Sequence, residues 1–110
     1  QLLLLFHWVN SKAKLSKGEL YMIATPNKVY YSYDKQFDVL RVTSSASKSF
    51  YYDEVIPGFL LRYDDESDGI CGYMITNLTK SNIFDIYEEL PPNYQLDFIN
   101  ILKDIKIKYN

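Results

Sequence analysis

The chain has 110 residues, 47% of them apolar and 24% charged, enough to bury one core, too few for a second of comparable size, and too apolar for disorder. A net charge of −2 supplies no basic field, so nucleic acid is not an expected partner. The lone cysteine, Cys71, excludes a disulfide within the chain and a cysteine-based zinc site, and a cytoplasmic location fits it best.

In chain order, the run Leu2-Leu3-Leu4-Leu5-Phe6 has the apolarity of a signal-peptide centre but neither a preceding basic segment nor a following cleavage site. It is also far shorter than the ~20 residues of a membrane span, so no membrane partner is expected. Residues 1–27 read as an extension of the main domain, with Met22 a candidate native start. Within it, two apolar stretches flank a polar one, which fits a hairpin or a short helix followed by a strand equally well. Thr25-Pro26-Asn27 then breaks the chain, because proline cannot donate to a ladder and restricts the residue before it.

Residues 28–80 carry a period of two. Val29, Tyr31 and Tyr33 alternate with Tyr30 and Ser32, and Asp34 and Asp38 bound a turn. Leu40 and Val42 share a face, as do Phe59, Leu61 and Tyr63 after Pro57-Gly58, and Cys71, Tyr73 and Ile75 after the acidic turn at residues 64–69. The pattern predicts an antiparallel β-meander of four to five strands. The eleven tyrosines suit strands and half-wet interfaces.

From residue 81 the period lengthens. Ser81 is placed to cap a helix that Pro91-Pro92 ends, and Asn93 a second in which Tyr94, Phe98, Ile101, Leu102 and Ile105 form one apolar stripe. The fold expected is α+β, a sheet with two C-terminal helices over residues 81–110.

Tyr33-Asp34 with Asp38-Val39-Leu40, then Val55-Ile56-Pro57-Gly58 and Tyr63-Asp64-Asp65, then Gly69-Ile70-Cys71-Gly72 and Ile75, resemble the small bacterial family known as domain of unknown function 2283. The similarity spans roughly residues 28–80. Arg41 stands where that family usually has tyrosine, and the acidic turn is longer than usual. The resemblance implies a fold and no activity.

Few residues invite chemistry. Asp64, Glu66 and Asp68 match the first positions of a calcium loop, but its twelfth position is Ile75 rather than a bidentate glutamate, so a solvated turn is the simpler reading and no metal or other cofactor is expected. Asp34 and Asp38 lack a third group to tune them. His7 is the only histidine, and no catalytic residue is assigned. The face opposite the core, with Tyr30, Arg41, Leu60, Arg62 and Met74, is too apolar for a sheet surface left in water. The chain is therefore expected to be a non-enzymatic interaction module with a protein partner or a second copy upon that face. One concrete form is an antitoxin-like or accessory protein that masks a basic partner with its acidic turns. The alternatives are a small-ligand or metal-binding domain using those turns, and a self-associating structural protein.

Overall fold

The computed structural model describes residues 12–14, 21–24, 28–44 and 49–109, with side chains for 28–44 and 49–106. His7, the leucine run and the question of a start at Met22 lie outside what it describes. Its strands are β1 (Lys12–Lys14), β2 (Tyr21–Ala24), β3 (Tyr30–Asp34), β4 (Val39–Thr43), β5 (Phe50–Ile56), β6 (Phe59–Asp64) and β7 (Ile70–Thr76). A 3-10 turn (Leu78–Lys80) leads to helices α1 (Ile83–Glu89) and α2 (Pro92–Tyr109). All seven strands form one antiparallel sheet in the order β1-β2-β3-β4-β7-β6-β5. The α+β architecture expected from the pattern is present. Two runs of consecutive strands, β1 to β4 and β5 to β7, are joined where β4 pairs with β7.

The anticipated boundary near residue 27 falls inside this sheet, since Ile23 of β2 faces Tyr31 and Ala24 faces Tyr30. The N-terminal hairpin is observed, but its first strand lies in the polar stretch at Lys12–Lys14.

The turns follow from local chemistry. Asp34 Oδ1 accepts the Phe37 amide at 3.1 Å, and Asp38 adopts φ 57°, a left-handed conformation that aspartate tolerates. Between β5 and β6, Pro57 fixes its own φ and Gly58 supplies φ 85°, the combination a type II turn requires. Between β6 and β7, Asp64 Oδ2 accepts the amide and hydroxyl of Ser67 at 2.9 and 3.0 Å.

Both helices pack on one face. Tyr31, Leu40, Val42, Phe59, Leu61, Tyr73 and Ile75 from the sheet meet Ile86 and Leu90 near α1 and Tyr94, Phe98, Ile101 and Ile105 from α2. At the centre the Tyr73 ring lies 5.7 Å from Tyr94 and 6.1 Å from Phe98, both edge-on. Burial, followed by the proximity of Asp97, pushes the Tyr73 hydroxyl well above its ordinary pKa, keeping it neutral.

Two helix boundaries differ from expectation. Asn82 rather than Ser81 caps α1, its side chain accepting from the Phe84 and Asp85 amides, because the Ser81 hydroxyl is turned back to the Asn77 carbonyl at 2.9 Å. Helix α2 begins at Pro92, where the missing N–H costs nothing because first-turn donors have no partner within the helix.

Candidate functional site

The sheet has a second face, and registration places its residues in rows. Ser32, Arg41, Met74, Leu60 and Glu54 stand opposite one another across β3, β4, β7, β6 and β5. The adjacent row is Tyr30, Thr43, Gly72, Arg62 and Tyr52. Directly opposed residues in antiparallel strands share a face, so all five residues expected to form an interaction surface, Tyr30, Arg41, Leu60, Arg62 and Met74, lie together here. Arg41 and Glu54 are exposed, whereas Tyr30, Leu60 and Met74 are half-buried. The buried residues of both helices belong to the opposite face, and among the described residues no helix covers this one.

Arg62 corrects the expectation of an exposed anchor. It lies on this face but is only 7% exposed, because the Phe50 ring covers its guanidinium at 3.8 Å. Its Nη1 donates to Thr43 Oγ1 at 2.5 Å and to Cys71 Sγ at 3.4 Å. Phe50 in turn meets Tyr52 edge-on at 5.7 Å. The guanidinium therefore fastens β5 and β6 to the end of β4. A shift in register between Arg62 and Tyr63 lies beside Cys71, whose thiol is buried, as its place on the inward stripe predicts, and accepts from Arg62. Cys71 has the cationic neighbour a reactive thiol needs, but at 6% exposure it lacks access.

The aspartates between β6 and β7 are committed to their turn and its neighbours. Asp68 accepts from the Tyr51 hydroxyl at 2.9 Å and Asp65 from Ser49 at 2.9 Å, while Asp64 holds Ser67. Hydrogen bonding to Asp68 raises the Tyr51 pKa. Among the described residues no three histidine, cysteine, aspartate or glutamate side chains converge as metal ligands, and Asp64, Glu66 and Asp68 form no such group.

Asp38 has a structural part that the sequence did not disclose. Its carboxylate accepts the Tyr33 hydroxyl at 2.6 Å and the Thr79 amide and hydroxyl at 3.0 and 2.6 Å, while its carbonyl accepts the Leu78 amide at 3.1 Å. The β3–β4 turn is thereby tied to the 3-10 turn that aims α1. Burial acts to raise the Asp38 pKa, yet the Thr79 and Tyr33 hydrogen bonds outweigh it and hold the group below its ordinary value.

Charge is divided along the chain. Residues 49–89 hold nine Asp and Glu against two Lys and Arg, whereas residues 1–48 hold seven Lys and Arg against three Asp and Glu. The sheet order puts β5 and β6 of the acidic segment at one side and β1 to β4 of the basic segment at the other. A groove of about 700 Å³ between the Pro57-Gly58 turn and α1 is lined by Asp85, Glu88 and Glu89 with Lys80. No helix among the described residues is long and apolar enough to cross a membrane. No protein-family model, curated protein or solved structure matches the chain.

Proposed function

We propose that the chain is a non-enzymatic protein-interaction module, acting in the cytoplasm, whose docking surface is the face of the sheet opposite the helices. The observation that carries the reading is the row Arg41-Met74-Leu60-Glu54. It has an apolar middle and charged ends, the arrangement of a surface with a dry centre and a polar rim. Arg62, fixed beneath Phe50, supports that surface from within instead of gripping the partner.

The test is affinity capture from the source cell with the wild-type chain and with Met74→Asp, whose new carboxylate stands in the middle of the row. Proteins retained by the wild-type chain should be lost from Met74→Asp while its circular dichroism stays native. An unchanged set of captured proteins would remove the open face from consideration. Retention that instead depends on Asp65 and Glu66 would shift the docking surface to the acidic turn.

A further inference from the structure

The row has a symmetry that names an occupant. Arg41 lies on β4, Met74 on β7, Leu60 on β6 and Glu54 on β5, each opposite the next. The order is thus cation, apolar, apolar, anion at successive strand spacings of ~4.8 Å. A twofold axis parallel to the strands and running between β7 and β6 reverses that order. It sets Glu54 of one copy over Arg41 of the other at both ends, and Leu60 over Met74 in the middle. An isologous contact requires this self-complementarity, with residue i meeting j wherever j meets i.

We infer that the occupant of the open face is a second copy of this chain, packed sheet against sheet about that axis. The inference rests on the reading of this face as the docking surface and adds the identity of the partner. Two further features agree with it. The same operation lays β5, from the acidic segment, over β4, from the basic segment, and β6 over β7, so opposite charges meet at both ends of the contact. Sheets packed face to face align within ~30° and interdigitate half-buried side chains at ~10 Å separation, and Leu60, Met74 and Tyr52 are half-buried already.

The size of the face sets the strength expected. The four strands that overlap in this packing, ~4.8 Å apart and ~20 Å long, make a plane of roughly 400 Å². That is less than the ~800 Å² per partner of a standard interface, so the dimer belongs in the micromolar range.

Sedimentation equilibrium of the whole chain from about 1 to 500 μM tests this, with charge-swap variants that leave the helix-covered core untouched. The wild-type chain should pass from monomer to dimer across that range. Arg41→Glu and Glu54→Arg should each raise the dissociation constant at least tenfold by opposing like charges, and the double swap should recover most of the loss. A merely structural part for either residue would not produce that recovery. Circular dichroism identifies any variant that fails to fold, and the wild-type concentration series stands without the variants. A chain monomeric throughout overturns the inference, as does a dimer indifferent to both single swaps. If the chain is monomeric while Met74→Asp still loses a captured protein, the open face remains a docking surface and its occupant is a different molecule.

Discussion

Gly72 is a position where one methyl group decides the packing of the sheet. A Cβ built there would lie 2.1 Å from the Val42 carbonyl oxygen and 3.0 Å from the Thr43 Cα, and neither backbone atom can move without breaking the β4–β7 ladder. Gly72→Ala should therefore cost about 3 kcal/mol, the upper range of overpacking. Gly69→Ala, whose Cβ would meet only the Ser67 hydroxyl at 3.3 Å, should cost under about 1 kcal/mol. Urea midpoints at constant slope measure both, and equal losses would mean that close approach is not what Gly72 provides.

At the same scale, Tyr33 and Asp38 set the pH limits of one contact. Asp38 is held below its unfolded value of 3.8, so its contribution is present above about pH 4 and is lost as pH falls through the folded value. Tyr33 is pushed up from 10.0 to about 12, by burial first and then by the hydrogen bond to Asp38. Its contribution is complete below pH 10 and disappears as pH rises from 10 to 12. Asp38→Asn retains a residue that accepts φ 57° but removes the charge. It should flatten the acid limb of stability against pH and lower the Tyr33 pKa, read from its ring resonances. An unchanged acid limb would assign that limb to other carboxylates.

Among elements, α1 depends most on local chemistry, because it has only seven residues, fewer than an isolated helix needs. Asn82→Ala removes the acceptor for the Phe84 and Asp85 amides and should cost about 1 kcal/mol. Faster hydrogen exchange at those two amides would locate the loss, and Ser81→Ala should leave them unchanged. That asymmetry also explains what could be read from the sequence. Serine and asparagine are both good caps, and the choice between them was made by the 3-10 turn, entered through Asn77 at φ 53°, which occupies the Ser81 hydroxyl. Strand alternation was legible because a period of two needs no knowledge of partners, and it put Arg41, Leu60, Arg62 and Met74 on one face correctly. The burial of Arg62 was not legible. It depends on Phe50 lying across it and on register shifts at Glu54/Ile56 and Arg62/Tyr63, which are properties of paired strands. The self-complementary row was hidden for the same reason, since β4 and β7 are neighbours in space and some thirty residues apart in the chain.

For the whole molecule, sheet order implies an order of opening. β7 is paired on both sides, to β4 and β6, and carries Tyr73 and Ile75 into the core. Freeing it breaks two ladders and the packing of α2 together. β5 is the outermost strand, paired only to β6 among the described residues, and five of its seven residues are exposed. Apart from its ladder it is held by Phe50 over Arg62, the Tyr51–Tyr63 stack at 5.2 Å and the Tyr51 hydroxyl on Asp68. Native-state hydrogen exchange in increasing denaturant should therefore find the Tyr73 and Ile75 amides exchanging only through global unfolding, with β5 opening at lower free energy and a smaller denaturant slope. Phe50→Ala should lower the β5 opening free energy by about 1 kcal/mol, the scale of a partly exposed cation–π contact, and leave the Tyr73 and Ile75 amides unchanged relative to global unfolding. If β5 and β7 merge onto one isotherm, the sheet is a single cooperative unit and Phe50 fastens nothing separately. The distinction reaches the docking surface, because Glu54 rides on β5. A strand that opens independently takes the acidic end of the row with it, so Phe50→Ala should also weaken any contact made by Glu54, although Phe50 stands outside that row.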